Sequence, residues 1–299
     1  MQDKQDRPGL ESVLARFDAL LARIDALLPA ALPATDWKAI AYRWRKTGGL
    51  AVRGWLEPVQ HVHKIRLADL QGIDAQVKRV EQNTRQFVSG KPANNVLLTG
   101  ARGTGKSSMI KGLLNKYAKD GLRLIEVDKS DLVDLPAIVA AIDRRPERFL
   151  LYCDDLSFEA AEPGYKALKV ALDGSISTAS ENLLIYATSN RRHLMPEYMQ
   201  ENLETKYIGE EVHPSETIEE KISLSERFGL WVSFYPFTQD EYLAIVAHWL
   251  GHFGCGAREI GAAREEALQW SLLRGSRSGR IAYQFARDWS GRHAGIAKK

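Results

Sequence analysis

Apolar side chains recur at four- and three-residue steps near the start of the chain: Leu10, Leu14, Phe17, Leu21, Ile24 and Leu28. That spacing collects them on one face of a helix, in a heptad-like stripe lasting under three heptads. Two fates suit such a helix: packing against its own protein, or a coiled coil. The prolines of "PAALPATDW" (29–37) end the pattern. Each removes a backbone donor and disfavours helix at the residue before it.

From residue 67 the period changes. Strand-like runs appear at "NVLLT" (95–99), "LRLIEV" (122–127), "RFLLYC" (148–153), "NLLIYAT" (182–188) and "LWVSFY" (230–235), with helical patterns between them. Several are apolar at consecutive positions, as expected of strands covered on both faces of a parallel sheet. After "YPFTQDEY" the pattern is wholly helical, and Thr238 with Glu241 has the spacing of a capping box. The expected class is therefore α/β, with helical segments at both ends.

Composition adds only bounds. The 299 residues are 44% hydrophobic and 26% charged, with 41 Lys and Arg against 38 Asp and Glu. A formal net charge of +3 does not require a nucleic-acid partner, although it leaves room for a local basic patch. No run reaches the roughly 18–20 apolar residues of a membrane helix. The polar start "MQDKQDRPGLES" has no secretory apolar region, and the two cysteines, Cys153 and Cys255, suggest no disulfide framework. A cytoplasmic protein without a membrane partner is expected.

One segment tests the nucleic-acid idea. In "DWKAIAYRWRKTGGLAVRGW", Trp37, Tyr42, Trp44 and Trp55 alternate with Lys38, Arg43, Arg45, Lys46 and Arg53. These could stack bases and neutralise phosphates, or they could be arginines packed over tryptophans at a domain junction. The second reading is the simpler, because no binding module's spacing is present.

The chemistry concentrates in "NVLLTGARGTGKSSMIKGLL" (95–114). Gly100, Gly105, Lys106 and Ser107 satisfy G-x-x-x-x-G-K-[ST], between a buried strand and a helix. A loop of Gly100, Ala101, Arg102, Gly103, Thr104 and Gly105 can wrap phosphates with its backbone N–H groups. Lys106, Ser107 and Ser108 open the helix behind it. Lys106 would reach the β- and γ-phosphates of a nucleotide and the Ser107 hydroxyl would ligate Mg2+, a loop that could serve a kinase, a GTPase or an ATPase.

Two further strand ends add to it. In "FLLYCDDLSFE", Asp154 is placed as a second magnesium-side ligand and Asp155 as a carboxylate close to an attacking water. Glu159 is a weaker alternative base. "LLIYATSN" ends on Asn190, an amide able to hold that water or to sense the γ-phosphate. His61 with His63, and His248 with His252, come without a third ligand, so they read as structural or exposed and no zinc is expected.

Together these motifs resemble AAA+ ATPases over about residues 67–289. More narrowly, "CDDLSFE", "SLSERFGLW" and "RSGRIAYQF" look like a bacterial family of AAA+ ATPases catalogued as a domain of unknown function. The resemblance implies a five-stranded parallel sheet in the order 5-1-4-3-2, an α-helical lid, and a homo-oligomer with sites at subunit junctions. It makes Arg227 a finger reaching the neighbour's nucleotide and Arg280 the lid arginine on the γ-phosphate. "LADLQGIDAQ" (67–76), with Ile73, resembles the segment lining the adenine pocket.

The corresponding division is a helical extension over 1–66, a nucleotide core over 67–236 and a lid over 237–299. Asp155 stands where Glu is more usual in the superfamily. The segment 196–226, with Glu201, Glu210, Glu211, Glu219 and Glu220, reads as an acidic insertion. The expected activity is ATP hydrolysis coupled to remodelling of an unknown protein client. The alternatives are a slow nucleotide switch that tethers a partner and, on the Trp/Arg segment alone, a nucleic-acid machine.

Overall fold

The computed structural model describes residues 10–27, 32–48, 52–158, 162–173, 181–190, 206–208, 211–213 and 224–293. Five parallel strands form the centre: β3 (Val96–Gly100), β4 (Leu122–Glu126), β5 (Arg148–Cys153), β6 (Leu183–Ser189) and β9 (Leu230–Phe234). They lie in the order β9-β3-β6-β5-β4, which is 5-1-4-3-2 when counted along the chain. Their apolar runs are continuous because both faces are covered. Val96, Leu98, Leu150 and Tyr152 enter one buried cluster, while Leu97, Phe149, Leu151 and Cys153 enter the other.

The first cluster is closed by α2 (Asp74–Val88), by α3 (Lys106–Tyr117) and by a C-terminal helical block. The second is closed by α4 (Leu135–Ile142) and α5 (Pro163–Leu172). The helical block comprises α6 (Gln239–His252), α7 (Ala257–Ala262), α8 (Arg264–Leu273) and α9 (Gly279–His293). The capping box at its start forms: the Thr238 N–H donates to Glu241 Oε2 at 2.7 Å, and the Glu241 N–H to Thr238 Oγ1 at 3.3 Å. Ala282, Phe285, Ala286 and Trp289 then bury one face of α9 at helical spacing.

The sheet has seven strands, not five. The segment expected to be helical up to residue 66 is so over α1 (Leu10–Leu27) but contributes a hairpin, β1 (Ala41–Lys46) and β2 (Gly54–Pro58). β1 runs parallel to β4 and antiparallel to β2. Within the hairpin, Tyr42 and Trp44 are buried, and Trp44 Nε1 donates to Asp134 Oδ2 at 3.1 Å. A Cβ on Gly54 would sit 1.9 Å from the Trp44 ring, so the indole lies where only glycine leaves room for it.

Three of the hairpin's cations are paired as well. Arg43 pairs with Glu126, Arg45 with Glu57, and Lys46 with Asp131 and Asp134, while Arg145 lies 4.2 Å over the Trp37 ring. Tyr42, Trp44 and these three cations thus help to build one side of the sheet. Arginine over tryptophan is realised, by Arg145 over Trp37.

Of the acidic segment 196–226, most lies outside the described residues. Within it, β7 (Lys206–Ile208) pairs antiparallel with β8 (Glu211–His213). Glu159 also lies outside the described residues. No described helix is long and apolar enough to cross a membrane.

Candidate nucleotide site

The strand β3 delivers the chain into the loop at Gly100, where φ is +120° and a Cβ would fall 1.9 Å from the Phe234 carbonyl oxygen. Only glycine fits between these two neighbouring strands. Gly103 and Gly105 also have positive φ, and Gly105 is the N-cap of α3. The first-turn N–H groups of α3 have no carbonyl partner within the helix, so they present donors at its positive end.

Lys106 is buried at the base of this loop. Its Nζ donates to Gly100 O at 2.7 Å, to Ala101 O at 2.8 Å and to Asn190 Oδ1 at 3.2 Å. Burial holds its ammonium below the usual lysine range, against the pull of Asp154 and Asp155. Lys106 thereby links the loop to the end of β6.

Ser107 Oγ donates to Asp154 Oδ1 at 2.9 Å, and Thr188 Oγ1 donates to the same oxygen. Burial acts to raise the Asp154 carboxyl, but hydrogen bonds led by Thr188 outweigh it and hold the group below the usual carboxylate range. An ionised carboxylate beside a hydroxyl is a hard oxygen pair. It fits magnesium, which is bound through one or two protein oxygens with water and substrate phosphate completing the shell.

Asp155 follows with φ at +51°, a conformation few non-glycine residues adopt. Its N–H donates to Thr188 Oγ1 at 3.0 Å, Asn190 Nδ2 donates to its Oδ1, and Arg102 lies 3.7 Å from its Oδ2. Its strained turn aims the carboxylate across the mouth of the loop toward Asn190.

Lys106, Ser107, Asp154, Asp155, Thr188, Asn190 and Arg102 line a cleft of about 490 Å³ together with Gly103, Thr104, Gly105, Ser108 and Ile73, while Gly100 and Ala101 are not on its wall. Ile73 does lie on its wall, with Ile65, Leu70, Phe237 and Ile245. The helical block supplies Trp249, Tyr283 and Arg280, and the Gly279 N–H donates to Gly103 O at 2.9 Å. Trp249 and Tyr283 meet edge-on with centroids 4.9 Å apart, giving the cleft an aromatic wall next to its anion-binding end.

Several of these residues carried no sequence signal. Thr188 is one more polar residue of a β-rich run. Trp249 and Tyr283 are 34 positions apart by their numbers, and only helix packing unites them. His63, expected to be structural or exposed, also lines the cleft, and His248 Nε2 lies 3.7 Å from buried Asp69.

Arg227 stands apart. It is not on the cleft wall, and its Nε donates to Asp173 just after α5. Arg280, by contrast, is on the wall.

A family model described as "Protein of unknown function (DUF815)" matches residues 37–293. The chain belongs to that family. No curated protein matches it.

Among solved structures, the Holliday junction branch migration motor RuvB of Thermotoga maritima is 16% identical with a TM-score of 0.46, covering 76% of this chain. The match covers 64% of that RuvB chain, less than two thirds of its length. The Escherichia coli MS115-1 HORMA:CdnC:Trip13 complex contains a chain that is 13% identical at a TM-score of 0.46, with 75% of this chain and 90% of that one covered. A Rhizobiales Trip13 is 12% identical at a TM-score of 0.44, with 74% and 91% covered.

The central strands of the DUF815 chain stand in the order 5-1-4-3-2, with the phosphate loop after the first of them and a helical block at the C-terminal end.

Proposed function

We propose that the protein binds ATP with magnesium in this cleft and hydrolyses it, at a site completed by Arg227 of a second copy, to rearrange a protein client. The supporting observation is that Lys106, the Ser107–Asp154 pair and the Asp155–Asn190 pair converge on the mouth of one phosphate loop. Residues 67–236 act as the nucleotide core and 237–299 as the lid in this reading.

Magnesium held by Ser107 and Asp154 would neutralise charge on the β- and γ-phosphates. Lys106 turns from its loop carbonyls to the same phosphates. Asp155 orients a water and takes its proton, with Asn190 fixing the carboxylate and contacting the water. Arg280 binds the γ-phosphate from the helical block, and the apolar and aromatic wall takes the base.

The test is a multiple-turnover phosphate-release assay with and without Mg2+. Dependence on Mg2+ and loss of turnover in Lys106→Ala support the reading. ATP binding without any turnover in the wild-type chain refutes an enzyme.

One observation favours a second reading, a slow nucleotide switch that tethers a partner. Asp155 is one methylene shorter than Glu, and its oxygens are already engaged by Asn190 and Arg102. A single turnover followed by retained ADP distinguishes this timer from a motor. Which client either would serve is a matter for co-purification with the ATP-trapped chain.

A further inference from the structure

Helix α1 does not behave as part of the folded core. It spans Leu10–Leu27, yet none of the side chains described on it, at 10 and 13–21, enters either buried cluster. The large apolar side chains described on it face solvent: Leu10 is 76% exposed, Leu14 53%, Phe17 58% and Leu20 55%, with Val13 and Leu21 also exposed. Packing on its own chain, one of the two fates open to it, is thus not what the described residues show. An isolated helix of about this length is marginal in water, so something must cover the stripe.

The sequence says what can. "LESVLAR", "FDALLAR" and "IDALL" repeat with a seven-residue period from Leu10. With Leu10 at heptad position a, the apolar residues fall at a, d and e. That arc is wider than the a/d seam of a two-stranded coil. Position b carries Glu11, Asp18 and Asp25, and position g carries Arg16 and Arg23. At 3.6 residues per turn, b and g lie at opposite rims of the apolar arc. One rim is acidic and the other basic.

That asymmetry selects both the occupant and its direction. Rotating parallel copies about a common axis brings each basic rim against the next copy's acidic rim. An antiparallel two-fold pair sets Arg against Arg and acid against acid. The surface complements itself only in the parallel, cyclic sense, which closes into a ring when the rotation closes.

We infer that α1 gathers three or more copies of this chain into a parallel helical bundle, independently of nucleotide. No phosphate-loop residue takes part, and α1 precedes the residues matched by the family model. The inference therefore stands or falls separately from the proposed ATPase activity.

The experiment is sedimentation equilibrium of the full chain without nucleotide. The wild-type mass should be that of three or more chains. F17D/L21D should give the mass of one chain with its thermal unfolding unchanged, since α1 lies outside the core. Ala15→Glu, at the outward f position, should leave the assembly intact, and so should Lys106→Ala. R16E/R23E makes both rims acidic and E11K/D18K/D25K makes both basic. Each should be a single chain alone, and a mixture should assemble again. A nucleotide-free wild-type monomer at every soluble concentration overturns the inference. So does a plain dimer, an unchanged mass for F17D/L21D, or dissociation caused by Lys106→Ala.

Discussion

Ser107 Oγ donates to Asp154 Oδ1 at 2.9 Å, joining the first turn of α3 to the end of β5. Between them the two residues hold one oxygen pair in place before any ligand arrives. The acidic partner carries a stability signature. Burial raises the Asp154 carboxyl while hydrogen bonds from Thr188 and Ser107 lower it further, so its folded value lies below its unfolded value. A depressed carboxyl stabilises the fold fully above the ordinary carboxylate range, and that contribution is lost as pH falls through the folded value. Urea unfolding across a series of acidic pH values should therefore show a shallower loss in Asp154→Asn than in wild type. Parallel pH curves would remove Asp154 as a source of acid sensitivity.

Lys106→Ala should weaken ATP binding by about tenfold to a hundredfold, from about 1.5–3 kcal/mol per charge-assisted bond. Titration with a fluorescent ATP analogue measures this, and circular dichroism checks that the fold persists. Undiminished binding by a folded variant would sink the phosphate-loop assignment.

Asp155→Asn should bind ATP and Mg2+ like wild type and turn over about a hundredfold more slowly or worse, as expected for loss of a positioned base. The readout is steady-state phosphate release beside nucleotide affinity. Unchanged turnover would transfer the role to Glu159 or to water held by Asn190.

Arg227 lies off its own chain's cleft and pairs with Asp173, so its expected action is on a neighbour. Arg227→Ala should lose about a thousandfold in turnover with binding little changed. Mixing it with Lys106→Ala should restore some activity, because the intact Arg227 of one variant can face the intact loop of the other. Turnover per chain that stays constant down to a demonstrated monomer would leave Arg227 a purely structural ion pair with Asp173.

Gly100→Ala tests the fold alone. With φ at +120° and the Phe234 carbonyl 1.9 Å from the added Cβ, β3 and β9 must part. A loss of about 3 kcal/mol or more in denaturant unfolding is expected. A change below about 1 kcal/mol would mean that the loop entry has room to yield.

The central strands, the phosphate loop, the Asp154–Asp155 and Asn190 strand ends, and the capping box at Thr238 were legible in the order of residues alone. Each is local: a strand buried on both faces must be apolar at successive positions, and a loop that approaches phosphate closely must be glycine-rich. The hairpin at 41–58 was not legible, because its alternation of aromatic and basic residues suits a sheet edge and a binding surface equally. Glu126, Glu57, Asp131, Asp134 and Arg145, contributed across the fold, decided it.

The aromatic wall of the cleft was likewise a tertiary decision, since Trp249 and Tyr283 meet only when α9 packs on α6. So was the need for glycine at 103, where a Cβ would come within 2.8 Å of Ser278 in the helical block. Periodicity fixes which face of an element is buried. Which residues meet across that face depends on contacts between segments far apart in sequence, and these exist only once the chain has folded.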